Sequence, residues 1–167
     1  MKLVKEYINE KFTEDSNPIE DMKIGLRTRI KEWLDNENVA IDQNEDQHDK
    51  PEYVINDDGT IDVNGNMHLI NKNINKLPDY INFNIVDGFC DMAYSDLETL
   101  RGFPKKVYGY FRCSNNKLTS LKYCPKYVYK GSRNRTGNFY PGRNPVRFKS
   151  KDVEKYCKHI EGYINIE

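Results

Sequence analysis

The sequence predicts a short β-solenoid of mixed α+β class, with about four irregular repeats, N-terminal helices and a C-terminal capping helix. The main observation is a spacing that residues 86–104 and 107–125 share. In both, Val is followed by Gly at +2, Leu at +11 and +14, and Pro at +18. Degenerate copies begin at Val63 and near Gly137. A period near twenty residues indicates a solenoid, in which each unit buries its apolar face against its neighbours.

Aligning the copies gives columns of apolar residues. The first two columns are two residues apart, which predicts a short strand with both side chains on one face. The next two are three residues apart, which is typical of a tight turn. The columns are Met67, Cys90, Phe111 and Phe139; Leu69, Met92, Cys113 and Pro141; Ile74, Leu97, Leu118 and Val146; and Leu77, Leu100 and Leu121. Between strand and turn, Asn116 and Asn144 are expected to bond the backbone of adjoining turns.

Residues 111–118, FRCSNNKL, match the pattern L-x-L-x-x-N-x-L with Cys113 in place of one Leu. With the strings CSNNKLTSL and CPK, the opening 22 residues and NPV before a short helix, the chain resembles small leucine-rich-repeat-like proteins of bacteriophage and gut-bacterial genomes. The resemblance implies a solenoid in a phage or bacterial cytosol, and no common activity or catalytic residues. Extra residues at 81–85 and 129–134 depart from the pattern and are expected to form loops.

Four segments are expected along the chain. Residues 1–41 form a helical segment, with one helix over 2–12 and a second that Ser16 or Asn17 caps before Pro18. These helices either cap the solenoid or form a separate partner-binding hairpin. Residues 42–52 read as an acidic linker, and residues 53–149 as the solenoid, which a hairpin at Asp58-Gly59 opens. Residues 150–167 hold the capping helix, expected at about 151–161 with Ser150 as its cap.

The composition bounds the class of protein. The net charge is zero, yet residues 1–100 carry 10 Lys/Arg and 22 Asp/Glu (−12), and residues 101–167 carry 16 and 4 (+12). This asymmetry indicates an anionic partner or self-association between the two halves. The absence of a signal-peptide core or a long apolar run leads us to expect a cytoplasmic protein, in a host bacterium if phage-encoded. No C-x2-C pair exists, so we expect no metal or cofactor, and Cys90 and Cys113 as buried small hydrophobes.

The leading functional hypothesis is a non-enzymatic protein-interaction module, because no nucleotide-binding glycine loop, HExxH or GxSxG motif is present. Its partner is expected to be an acidic phage or host protein bound by outward strand positions and the basic C-terminal half. The strand-face residues are His68, Phe89, Asp91, Tyr110, Arg112 and Tyr140. Tyr110→Ala with Arg112→Ala is expected to weaken partner capture without lowering the melting temperature.

The alternative is binding of nucleic acid or a phosphorylated nucleotide by the basic, tyrosine-containing stretch 122–149. Its candidate cations are Lys126, Lys130, Arg133, Arg135, Arg143 and Arg147. For both surfaces, a plain solvated exterior is the interpretation without function.

Overall fold

The computed structural model describes residues 17–43, 52–131 and 136–167. The chain winds into a β-solenoid, in which two sheets enclose one cluster of buried apolar side chains. The helix expected at residues 2–12 lies outside the described residues. Within the described ranges, no helix is long and apolar enough to cross a membrane.

The second N-terminal helix forms where the sequence predicts it. Helix α1 spans Pro18–Trp33, with Pro at its first position. The Asn17 side chain caps it by accepting a hydrogen bond from the Ile19 backbone N–H at 3.2 Å. The helix passes through Gly25 without a break and ends in a π-helical turn at Leu34–Asn38.

Helix α1 packs against the first turns of the solenoid. Ile30 is fully buried and joins the common core. Arg27 contacts Asp57 of the following hairpin, with 2.6 Å between guanidinium nitrogen and carboxylate oxygen. Arg29 lies over the Tyr80 ring at 4.3 Å. For this helix, the contacts agree with the capping interpretation.

The first sheet carries the strands that the apolar columns predict. Its order is β1-β4-β6-β8-β10, and only the β1–β4 pair is antiparallel. The strands are β1 (Ala40–Gln43), β4 (Gly65–His68), β6 (Cys90–Asp91), β8 (Phe111–Arg112) and β10 (Phe139–Tyr140). The register places Met67, Cys90, Phe111 and Phe139 side by side, as predicted. Because β1 includes residues 42 and 43, the expected linker does not begin at residue 42; residues 44–51 lie outside the described residues.

The second sheet has the order β11-β9-β7-β5-β3-β2. Its strands are β2 (Tyr53–Ile55), β3 (Ile61–Val63), β5 (Phe83–Val86), β7 (Lys106–Tyr108), β9 (Tyr127–Tyr129) and β11 (His159–Ile160). The antiparallel β2–β3 pair confirms the predicted hairpin, and the remaining pairs are parallel. The expected loop at 81–85 is wrong, because Ile81 and Phe83 are buried and residues from Phe83 pair with β3.

The C-terminal segment contains less helix than the sequence predicts. Helix α2 spans only Ser150–Glu154, and its N-cap is Lys149 rather than Ser150. Residues His159–Ile160, expected to be helical, form strand β11 parallel to β9. This pairing covers the edge of β9: the Glu161 N–H donates to the Val128 carbonyl at 3.0 Å. A longer helix would leave that edge of the sheet without a neighbouring strand.

The core columns hold in the earlier repeats and fail in one position of the last. Val146 is 40% exposed, and Phe148 is buried nearby in the sequence. Cys90 and Cys113 are fully buried, and burial raises the pKa of both thiols well above the usual value. The prediction that these two cysteines act as small core residues is confirmed.

Candidate functional site

The backbone turns sharply where it passes from the second sheet to the first, and the outer face of the first sheet begins at this corner. Gly109 sits at one such corner, where an added Cβ would lie 2.8 Å from the Phe89 backbone nitrogen. The backbone of one coil can approach the backbone of the next this closely only because the corner residue lacks a side chain. The next residue, Tyr110, then begins the passage along the first sheet.

A row of aromatic rings runs along this outer face, one coil after another. We call it the aromatic row: His68, Phe89, Tyr110, Tyr140 and Tyr163. The Phe89 and Tyr110 rings are stacked with centroids 4.5 Å apart, and His68 meets Phe89 edge-on at 4.9 Å. Tyr140 contacts the other rings edge-on, at 5.9 Å from Tyr110 and 6.0 Å from Tyr163. Four of the six predicted strand-face residues therefore lie in one continuous row.

The prediction that Asp91 is an outward contact residue is wrong, because Asp91 is only 4% exposed. Its carboxylate accepts a hydrogen bond from the Ala93 backbone N–H at 3.0 Å and one from the Tyr110 hydroxyl at 3.4 Å. An Arg112 guanidinium nitrogen lies 3.5 Å away. Asp91 thus fixes Arg112 and Tyr110 from beneath, since a buried carboxylate needs a charged partner and hydrogen bonds.

Arg112 remains accessible on the other side of this ion pair. Its side chain is 39% exposed, and its Nε donates to the Ser114 hydroxyl at 3.1 Å. Burial, followed by the charge of Asp91, raises the pKa of Tyr110 to about 12. At neutral pH the Tyr110 hydroxyl is therefore a hydrogen-bond donor, held beside a positively charged guanidinium.

A cavity of about 400 Å³ opens between Tyr110 and Tyr140. Its remaining lining is polar: Arg112, Ser114, Asn115, Arg143, Asn165 and Glu167. Arg143 is exposed and makes no ion pair with the residues that the structure describes. The cavity therefore combines two aromatic walls, two guanidinium groups and one acidic side chain at its rim.

Asparagines hold the coils in place beneath this face. Asn66 and Asn138 are buried, and the side-chain oxygen of each accepts a hydrogen bond from a backbone N–H of the next coil, that of Phe89 and that of Tyr163 respectively. Asn116 behaves as predicted, since its side chain bonds the backbone of the preceding coil, at Met92 and Ser95, and of its own coil, at Cys113.

Tyr163 belongs to the aromatic row although it is not among the strand-face residues that the sequence predicts; it follows the helix expected at about 151–161. The missed signal is local: residues 162–164, Gly-Tyr-Ile, repeat the order glycine, tyrosine, inward apolar residue of 109–111. The bridge between Phe139 and Ile164 confirms that register. Tyr163 is 56% exposed and extends the row by one coil.

The basic stretch 122–149 does not form one surface. Lys126 and Lys130 are exposed on either side of β9 in the second sheet. Arg143 instead lines the cavity beside the first sheet, and Arg147 is exposed beyond it. Arg133 and Arg135 lie outside the described residues.

Comparisons with protein-family models, with curated proteins and with solved structures find no match.

Proposed function

We propose that the chain is a non-enzymatic interaction module that binds a protein through the outer face of its first sheet. The leucine-rich-repeat type, the count of four repeats and a phage or bacterial cytoplasmic setting are part of the proposal. The repeat count rests on the aligned copies, and the repeat type and setting rest on the sequence resemblance. The bonds of Asn116 to the preceding coil and to its own are the structural detail that supports the repeat type.

The aromatic row is the observation that carries this proposal. Tyrosine and arginine are the residues that most often dominate the binding energy of protein interfaces. Here the rings stand on a rigid sheet and pack against one another, so that little side-chain entropy is left to lose on binding. A partner would meet a preformed surface.

The cavity supports an acidic partner. Arg112 is already positioned by Asp91, while Arg143 has no carboxylate partner among the described residues. A carboxylate from the partner that enters the cavity would meet both guanidinium groups. Such a contact would place the partner in one register along the row.

The ring geometry favours a protein over nucleobases at this face. Phe89 and Tyr110 are stacked on each other, with an angle of 6° between their planes. Each therefore has one ring face covered by its neighbour, whereas base stacking needs open ring faces. The edges of the rings remain available, and these suit the side chains and backbone of a protein.

The experiment must avoid Arg112, because Arg112→Ala would leave Asp91 buried without its cation. The double substitution Tyr110→Ala with Arg112→Ala is therefore expected to lower stability as well as binding, contrary to the expectation from sequence. Arg143→Asn with Tyr163→Asn removes one cation and one ring from the face. Asn tolerates the positive φ of 53° at position 143.

The matched control is Lys122→Asn with Tyr123→Asn, which removes the same charge and one similarly exposed ring away from the first sheet. Each protein is used to capture partners from a bacterial lysate at moderate salt, and its melting temperature is recorded. We expect the wild type and the control to retain one enriched protein that the face variant loses at an unchanged melting temperature. Equal capture by all three would refute the proposed face.

A further inference from the structure

The turns that lead into three strands of the second sheet, β5, β7 and β9, have the same geometry. Each closes with a hydrogen bond from a backbone N–H to the carbonyl three residues earlier, at 2.9 to 3.1 Å; the donors are Ile81, Phe103 and Cys124. The residue before the donor is tyrosine in two turns, Tyr80 and Tyr123, and glycine in the turn between them, Gly102. Gly102 has a φ of 86°, and an added Cβ would lie 2.5 Å from the Ile81 carbonyl oxygen. The position therefore excludes a side chain and leaves an opening between the neighbouring turns.

A hollow of about 370 Å³ lies at this opening, and we call it the Gly102 hollow. The buried part of its lining is apolar: Phe83, Phe103, Pro104 and Cys124. The Tyr123 ring, which is 49% exposed, also lines it, together with the polar residues Thr60 and Asn82. A concave surface of this size, largely apolar and with a few polar groups, is typical of a site for a small molecule.

Three cationic residues line the Gly102 hollow, and no acidic residue in the described part of the chain does so. The three are Arg101, Lys105 and Lys126. An Arg101 guanidinium nitrogen lies 3.8 Å from an Asp79 carboxylate oxygen, but both side chains are well exposed, so this ion pair contributes little. Lys126 is exposed and has no ion pair with any residue that the structure describes.

The charge of Lys105 is felt outside the hollow by Asp58. Hydrogen bonds from Thr60 lower the pKa of Asp58, and the charge of Lys105 lowers it further. Asp58 Oδ1 accepts those bonds from the Thr60 hydroxyl at 2.6 Å and from the Thr60 backbone N–H at 2.9 Å. Lys105 itself forms no ion pair within the described ranges. The Gly102 hollow therefore combines uncompensated positive charge with an apolar floor.

We propose that the Gly102 hollow binds a small carboxylate with an apolar body, the carboxylate beside Lys105 and Lys126 and the body against the apolar floor. The cations favour an anion over a neutral molecule, and the floor favours an apolar body over a bare inorganic ion. The hollow shares no lining residue with the cavity of the first sheet. The inference is therefore independent of the proposed protein-binding face.

The test uses three probes: naphthoate, its neutral counterpart naphthamide, and acetate, which has the charge without the rings. Each is titrated into isotope-labelled protein, and heteronuclear NMR gives the dissociation constant and the backbone amides that respond. We expect naphthoate to bind with a dissociation constant of about 1 mM, as is usual for a ligand of about a dozen non-hydrogen atoms. The signals of Gly102, Lys105 and Lys126 should shift. Naphthamide and acetate should each bind at least about 5-fold more weakly.

The test variant is Lys105→Gln with Lys126→Gln. It should bind naphthoate at least about 5-fold more weakly and naphthamide as the wild type does, because only the charged contact is lost. The matched control is Lys31→Gln with Lys76→Gln, which removes the same charge from two exposed positions outside the hollow and should bind both probes as the wild type does. Neither variant removes a buried contact, so both should keep the melting temperature of the wild type.

Four results would overturn the inference. No binding of naphthoate, or equal binding of naphthoate and naphthamide, would show that the lysines select no anion. Acetate binding as tightly as naphthoate would indicate an adventitious ion only. An equal loss in both double variants would indicate net charge alone. Shifts at Ile19 and Met22 in place of Gly102 would assign the binding to the exposed apolar side chains of α1, which are 68% and 74% exposed.

Discussion

Asn116 offers the sharpest test of how the coils are held together. Its side-chain oxygen accepts hydrogen bonds from the backbone N–H groups of Ser95 at 2.9 Å and Leu97 at 3.1 Å. Its amide nitrogen donates to three carbonyls, the closest being Met92 at 2.9 Å. Asn116 is 7% exposed, and Ser95 and Leu97 are fully buried. Water therefore has little access to these groups.

Asn116→Ala leaves two buried N–H groups without an acceptor. Each such group costs about 1–3 kcal/mol, so we expect the free energy of unfolding to fall by about 4 kcal/mol. This is a large part of the roughly 5–15 kcal/mol that stabilises a typical domain. The melting temperature should fall by about 8–16 °C, at about 2–4 °C per kcal/mol for a chain of this size.

Asn144→Ala is the matched control, since Asn144 has the same role one coil later but is half-buried. Its oxygen accepts one backbone bond, from Leu118 N–H at 3.0 Å. We expect a loss of about 1–2 kcal/mol there, because one donor is orphaned and water can reach the site. Urea unfolding followed by circular dichroism gives both values. Equal losses, or a loss below about 1.5 kcal/mol for Asn116→Ala, would refute this account of the coil contacts.

Three further predictions test the ion pair of Arg112 with Asp91, the corner at Gly109 and the raised pKa of Tyr110. Arg112→Met should cost about 2 kcal/mol in urea unfolding because it leaves Asp91 buried and unpaired; adding Asp91→Asn should recover most of that loss, and a further loss would contradict the reasoning. Gly109→Ala should cost about 1–3 kcal/mol in the same assay, because its Cβ would meet the Phe89 backbone nitrogen at 2.8 Å; a neutral effect would show that the corner can relax. The fold raises the pKa of Tyr110 from 10.0 to about 12, so its stabilising contribution is present below pH 10 and lost as pH rises to 12. Tyr110→Phe should therefore lose less stability than wild type between pH 10 and 12 in alkaline unfolding, and identical curves would contradict the shift.

The sequence predicts the four parallel strands of the first sheet, β4, β6, β8 and β10, because each carries an inward residue and is followed two residues later by another; strand β1, expected as the end of a helical segment and the start of a linker, is not predicted. Cys90 and Met92, or Phe111 and Cys113, appear in every copy at the same offset, and both pairs are buried. In the second sheet, only the opening hairpin β2–β3 is predicted. Strand β7, for example, contributes a single buried side chain, Val107, and although Val recurs from copy to copy, one apolar residue does not mark a strand. Pairing with distant parallel neighbours, and not local pattern, determines these strands.

The residues of the candidate site are likewise predicted only in part. Alternation along the strands places Tyr110 and Tyr140 on the outer face correctly. It fails for Asp91, because a carboxylate beside an arginine from the next coil can be drawn inward, and the sequence does not show that pairing. Tyr163 is missed because the apolar spacing of the preceding segment predicts a helix, and edge pairing with β9 prevails there.

The most direct test of the protein-binding face is tyrosine footprinting of the captured complex by hydroxyl-radical labelling and mass spectrometry. The account predicts that the partner protects Tyr110, Tyr140 and Tyr163, and leaves Tyr123 and Tyr127 labelled as in the free protein. Protection of Tyr127 with continued labelling of Tyr163 would contradict the account, because the partner would then bind the second sheet.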